Sequence, residues 1–242
     1  MKKQIFILVL TISSLTSNAQ NFWNSKKIKG NGNIITQTRK ITTFDQISIG
    51  GSFDVVLIDG TENKLTINGE ENVLKYIETI VKKNELVVQF KENTNIKLTK
   101  KLVVTIPFEK INGLSLGGSG NIIVNKKITT DSASFSIGGS GSITASVNAN
   151  TIKASIGGSG SIKLKGKTDA LKINIAGSGN IKAYNLKTNT LKANIAGSGN
   201  IKATVNSKIK ANIVGSGNVY YKGNPNHIDL DAIGSGKAKS MN

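Results

Sequence analysis

From about residue 113 onward, apolar and polar positions alternate in short runs that keep one register around a recurring Gly-Ser-Gly. Before each motif three alternate positions are apolar: Leu171, Ile173 and Ile175; Leu191, Ala193 and Ile195; Ile209, Ala211 and Ile213; Ile228, Leu230 and Ala232. After it the alternation resumes with Ile181 and Ala183, Ile201 and Ala203, and Val219 and Tyr221. A period of two predicts strands with one buried face. Each repeat reads as strand, glycine corner, strand, and a more variable return such as 185–189.

The motif begins at Gly118, Gly139, Gly158, Gly177, Gly197, Gly215 and Gly234, in steps of 21, 19, 19, 20, 18 and 19 residues. A fixed period near 20 predicts a solenoid, in which each repeat buries its apolar edge against its neighbours. The expected fold is all-β: a single-stranded β-helix-like solenoid of about 19–20 residues per rung, right-handed under the crossover rule for parallel strands. Seven rungs would span roughly 34 Å at about 4.8 Å each.

The paired glycines Gly118 and Gly120, Gly139 and Gly141, Gly158 and Gly160, Gly177 and Gly179, Gly197 and Gly199, Gly215 and Gly217, and Gly234 and Gly236 are expected at corners. There the backbone takes angles that a Cβ resists, and stacked turns leave little room. With Gly117, Gly138 and Gly157 added, the motifs hold 17 of the 26 glycines. A flexible linker lacks such flanking alternation. A phosphate loop would need a following Lys-Ser/Thr and a helix, and a calcium-binding nonapeptide solenoid an Asp and a period of nine.

Stacking turns equivalent positions into columns. One column runs Asn121, Ser142, Ser161, Asn180, Asn200 and Asn218; another runs Ser115, Ser136, Ser155, Asn174, Asn194, Asn212 and Asp231. Stacked amides hydrogen-bond along the axis, so these columns are expected to be scaffold. Lys153, Lys172, Lys192 and Lys210 form an outward column, and Lys163, Lys182 and Lys202, continued by Tyr220, form a second across the corner. They read either as a solvated face that keeps a repetitive stack soluble or as a basic strip matching regularly spaced anions. Tyr220 could stack on a sugar.

The first half is less regular. Gly30-Asn31-Gly32-Asn33-Ile34 and Ile49-Gly50-Gly51-Ser52-Phe53 spell early versions of the corner. Val73, Leu74 and Ile77 predict a helix of one to two turns, followed by strands at 85–90 and 101–107 with a turn near Asn93-Thr94-Asn95. The expected layout is an N-terminal β lobe over 20–112 that caps the first rung, then the regular solenoid over 113–242.

Phe44-Asp45-Gln46-Ile47 and Gly51-Ser52-Phe53-Asp54-Val55-Val56-Leu57 resemble the opening of the head GIN domain family of auto-transporter adhesins. Asn72-Val73-Leu74-Lys75-Tyr76-Ile77 and Leu116-Gly117-Gly118-Ser119-Gly120-Asn121-Ile122 agree with it, so the resemblance covers roughly 40–235. It implies an all-β solenoid in exported proteins of Gram-negative bacteria with an adhesin role, and brings no catalytic or binding residues. The chain shows no succession of about ten-residue alternating segments of a membrane barrel.

Residues 1–19 fit an export signal: Lys2 and Lys3, the apolar run 5–12, and Ser17-Asn18-Ala19 before a cut at Gln20. There is no cysteine, hence no disulfide. The net charge is +18, or +16 without Lys2 and Lys3; residues 118–242 contribute +12 of it, with 16 lysines against Asp131, Asp169, Asp229 and Asp231. Arg39 is the sole arginine, which disfavours specific reading of nucleic acid, a task suited to the planar guanidinium fork.

Catalytic constellations are sparse. His227 is the only histidine and follows the turn spelling Asn224-Pro225-Asn226, so it is expected at a surface turn. A polysaccharide lyase could use Asp229 and Asp231 for calcium with Lys210 one rung below. The expectation is nevertheless a non-catalytic exported protein, periplasmic or at the cell surface, without cofactor or metal. Its expected partners are anionic polysaccharide, lipopolysaccharide or another envelope protein.

Overall fold

The computed structural model describes residues 25–242, and the predicted export segment 1–19 lies outside the described residues. Parallel stacking organises the rest. Gln46–Gly51 pairs with Gly113–Gly118, which pairs with Ile128–Gly139. The long strands Ser142–Gly158, Ser161–Gly177, Asn180–Gly197 and Asn200–Gly215 follow in order, each running from one corner to the next. His227–Gly234 and Lys237–Ser240 form the last rung.

The register is strict at the corners: Gly158 lies opposite Gly177, Gly177 opposite Gly197, Gly197 opposite Gly215, and Gly215 opposite Gly234. At Gly197, φ is +122° and an added Cβ would lie 2.4 Å from the Gly177 carbonyl oxygen. That oxygen accepts hydrogen bonds from the N–H groups of Ser198 and Gly199 at 3.0 and 3.1 Å. At Gly199 a Cβ would meet Ile175 Cγ2 at 2.6 Å. The first glycine is thus fixed by backbone angle and the stacked oxygen, the second by the Gly179 carbonyl oxygen, also 2.6 Å from an added Cβ, and by the core beneath it.

Gly117, Gly138 and Gly157 have another cause. Their column continues as Ala176, Ala196, Val214 and Ile233, and a Cβ added at Gly138 meets nothing within 4 Å. The corner does not require these glycines.

Inward side chains on both limbs of each rung form one continuous core, with Ile181, Ala183, Leu191, Ala193 and Ile195 buried in a single turn. Each large aliphatic so buried contributes about 1.5–3 kcal/mol. Opposite the glycine corner the alternation slips by one residue, from Ala149 to Ile152, Thr168 to Leu171 and Thr188 to Leu191. Here the chain makes its second bend. The buried hydroxyl of Thr168 donates to the carbonyls of Asn150 or Ala170, supplying a partner for backbone that has left the regular ladder.

Residues 60–112 leave the stack and return. Glu85–Phe90 and Val103–Phe108 add parallel layers outside Gln46–Gly51 and Asp54–Asp59. Antiparallel strands then take over: Ile77–Lys82 on Glu85–Phe90, Lys64–Glu70 on Val103–Phe108, and Ile34–Lys40 on Lys64–Glu70. The helix is one turn, Glu71–Leu74.

Three local expectations need correction. Thr94–Lys97 is a strand, paired in parallel with Lys26–Lys29, and the left-handed residue of the turn is Asn93 at φ +58°. Gly30–Asn33 is not a stacked corner but a turn held from beneath, with Gly32 N–H donating to Glu70 Oε1 at 2.7 Å. His227 opens a strand opposite Lys208 instead of sitting in the turn.

Candidate binding surface

Outward positions on the limb before each corner place Lys153 beside Lys172, Lys172 beside Lys192, and Lys192 beside Lys210. On the limb after the corner, Lys163, Lys182, Lys202 and Tyr220 stack in the same way. All seven lysines are exposed, and neighbours in a column belong to strands about 4.8 Å apart. The columns occupy different limbs of the rung and therefore form two strips, not one. Ser134 and Thr144 precede them; Asp229 and Tyr220 follow.

The neighbouring amides hold these strands in step. Asn194 Nδ2 donates to Asn174 Oδ1 at 2.8 Å, and Asn212 Nδ2 to Asn194 Oδ1 at 2.9 Å. Across the corner the ladder is looser, with Asn200 to Asn180 at 3.5 Å and Asn218 to Asn200 at 3.3 Å. Each amide donates to the rung before and accepts from the rung after, as the sequence columns anticipate.

Further lysines escape the sequence pattern. Lys165 and Lys167 are exposed beyond Lys163 on the same limb, and Lys167 stacks on Lys187. The limb after the corner is the more basic side. Extending the outward alternation past Lys163 would have reached them, but the next rung is 20 residues long and its register shifts between Lys163 and Lys165.

Tyr184 enters at that shift. Lys163 faces Lys182 but Lys165 faces Asn185, so one residue is inserted on the later strand. Tyr184 and Tyr220, with Asn180, Asn200, Lys202 and Met241, line a hollow of about 390 Å³. Lys222 Nζ lies 5.2 Å from the centre of the Tyr184 ring, within cation–π range. The Tyr184 hydroxyl is buried without a protein hydrogen-bond partner. Burial, and then the proximity of Tyr220, push its pKa up, so the phenol stays protonated.

A second concavity of about 420 Å³ follows the other bend, lined in part by Asn148, Asn150, Lys167, Asp169, Lys187 and Asn189. Asn150 Nδ2 donates to Asp131 Oδ1 at 2.5 Å, Asn189 to Asp169 at 3.0 Å, and Asn206 to Asn189 at 3.4 Å. The carboxylates of Asp131 and Asp169 are thus used within the stack.

Asp229 and Asp231 lie on the outward face of the last rung, and Lys210 sits one rung below. Lys210 Nζ is 2.7 Å from Asp229 Oδ2. That hydrogen bond, reinforced by the charges of Asp229 and Asp231, raises the lysine pKa; the same bond and the lysine charge lower that of Asp229. A lysine acting as general base needs the opposite shift. Among the described residues, no three His, Cys, Asp or Glu side chains converge in a way that could hold a metal ion.

The model of the family described as "Putative auto-transporter adhesin, head GIN domain" matches residues 43–225. No curated protein matches the chain. Among solved structures, a "putative adhesin" from Bacteroides fragilis NCTC 9343 superposes with a TM-score of 0.83 at 28% identity, over 88% of this chain and 100% of that one. A "Putative lipid binding protein" from Parabacteroides distasonis ATCC 8503 gives 0.76 at 29% identity, over 90% and 100%. A "putative adhesin" from Parabacteroides merdae ATCC 43184, at 23% identity over 90% and 100%, shares the fold with a TM-score of 0.70. The match over 43–225 spans most of the sequence, and the stacked corners from Gly51 to Gly215 lie within it. The chain belongs to the head GIN domain family.

Proposed function

We propose that this protein is a non-catalytic component of the cell envelope or cell surface that binds anionic glycans, lipopolysaccharide included, along its lysine columns. The observation that carries this reading is the in-register stacking of Lys163, Lys182 and Lys202 into the hollow lined by Tyr184 and Tyr220. A row of exposed ammonium groups supplies long-range attraction to regularly spaced anions. Two aromatic rings at its end supply what charge alone lacks: a surface for a sugar ring. In this reading the lobe over 20–112 caps the stack and the repeats over 113–242 present the ligand face.

The export signal read in residues 1–19 and the adhesin descriptions of the relatives support an exported location. The lipid-binding description of the Parabacteroides distasonis relative fits the same chemistry, because anionic headgroups would meet the same lysines. A lyase is disfavoured by the ion pair that raises the pKa of Lys210. The competing reading is a periplasmic partner-binding module whose lysines only keep the stack soluble.

Retention on anionic polysaccharide beads separates the two. Binding should persist at about 0.15 M salt, where exposed charges are screened beyond about 8 Å. It should weaken when Lys163, Lys182 and Lys202 become Gln, and also when Lys172, Lys192 and Lys210 do. Tyr184→Ala should lower it further without changing net charge. Unchanged retention in all three variants favours the partner-binding module, and protease shaving of intact cells distinguishes surface from periplasm.

A further inference from the structure

The two ends of the stack are finished differently. At the N-terminal end the parallel ladder gives way to antiparallel strands, and Arg39 ties the outermost strand down by donating to the carbonyls of Ile77 at 2.6 Å and Leu74 at 2.7 Å. At the other end, among the described residues, His227–Gly234 pairs with Asn200–Gly215 and Lys237–Ser240 with Asn218–Lys222, each along one edge. Both limbs of the last rung therefore present a free row of backbone N–H and C=O groups.

The core is open there too. Ile228 and Leu230 occupy the inward register of Ile209 and Ala211, yet they are 42% and 40% exposed where Ile209 and Ala211 are 0%. Among the described residues, none covers them from above. Their strand also carries the acidic pair Asp229 and Asp231, whereas the other terminal limb carries Lys237 and Lys239. The end face is thus apolar in the middle, acidic along one side and basic along the other.

We propose that this end face is the seat of a second copy of the chain, joined end to end about a two-fold axis that runs along the limbs. Such an axis sets the acidic limb of each copy over the basic limb of the other, with strands antiparallel and glycine corner over glycine corner. Asp229 then faces Lys239 of the second copy and Asp231 faces Lys237, while Leu230 meets Ala238 across the closed core. This register keeps every inward residue inward, because Lys237, Ala238 and Lys239 align with Asn218, Val219 and Tyr220 of their own chain. The other two-fold choice, each limb over its own copy, stacks carboxylate on carboxylate and ammonium on ammonium. Charge selects the first. The pairing removes two exposed sheet edges at once and aligns the lysine columns of both copies along one axis.

Sedimentation velocity of the full chain over a concentration series tests this. The expected result is a reversible dimer whose dissociation constant rises by about tenfold or more in Asp229→Lys plus Asp231→Lys. Adding Lys237→Asp and Lys239→Asp should restore it, which also shows that the reversed chain folds. Because the natural chain has no cysteine, Asp231→Cys combined with Lys237→Cys should give a disulfide-linked dimer on oxidation. A monomer at every concentration up to about 0.1 mM, a dimer indifferent to charge reversal, or failure of the four-site swap to restore pairing would each overturn the proposal.

Discussion

Single residues decide more in the N-terminal lobe than in the repeats. Glu70 is fully buried, and burial alone would raise its pKa; hydrogen bonds from the Thr99 hydroxyl and the N–H groups of Thr99, Gly32 and Lys100 outweigh this and hold it at about 2. A folded-state value below the unfolded one means that ionised Glu70 stabilises the protein above the ordinary glutamate range, about 4.3. That stabilisation should disappear as pH falls from there towards 2. Thermal melts across this window should show the wild type losing stability more steeply than Glu70→Gln. Parallel curves would refute the assignment. Neither Glu70 nor Arg39 was legible as a clamp in the sequence, because their partners lie 29 to 38 residues away and follow no period.

At the scale of the element, the repeat spelling sufficed. Alternation fixed the inward face of each limb, and counting outward from each glycine corner fixed which residues stack. The Asn174–Asn194–Asn212 ladder follows directly. Removing its middle member leaves a donor and an acceptor unpaired, so Asn194→Ala should cost about 1–2 kcal/mol in denaturant unfolding. The exposed neighbour Lys192→Ala should stay within about 0.5 kcal/mol. Equal losses would mean that the amides are no more than polar surface. Where the step departs from 19, legibility fails away from the corner: the inserted residue of the 20-residue rung is what brings Tyr184 beside Tyr220, and spacing alone does not say where an insertion sits. The turn spelling at Asn93-Thr94-Asn95 located the turn at Asn93 but not its end, since the strand Thr94–Lys97 is made by pairing with the distant Lys26–Lys29.

For the whole molecule, one column of corners sets the frame, and both lysine columns inherit their regularity from it. The first corner, at Gly51, belongs to the same column although 67 residues separate it from Gly118 in the chain. The excursion between them supplies the strands that lie outside Gln46–Gly51 and Asp54–Asp59. Sequence regularity could locate seven corners and hint at the eighth, but the return of 60–112 to the far side of Gln46–Gly51 depends on pairings with no periodic signature. The exposure of the last rung was equally hidden: Ile228, Leu230 and Ala232 spell the same inward pattern as their buried predecessors, yet among the described residues no layer lies over them.

Denaturant unfolding of two glycine-to-alanine variants tests that frame most directly. Gly197→Ala places a Cβ at a φ of +122°, against the carbonyl of the stacked Gly177. It should cost about 3 kcal/mol or more. Gly138→Ala adds the same methyl in open space, in a column that elsewhere holds Ala176 and Ala196. It should be neutral or stabilising by up to about 1 kcal/mol. If both variants unfold at the wild-type midpoint, or both are equally destabilised, the glycine corners do not hold the rungs in register and the lysine columns lose their geometric basis.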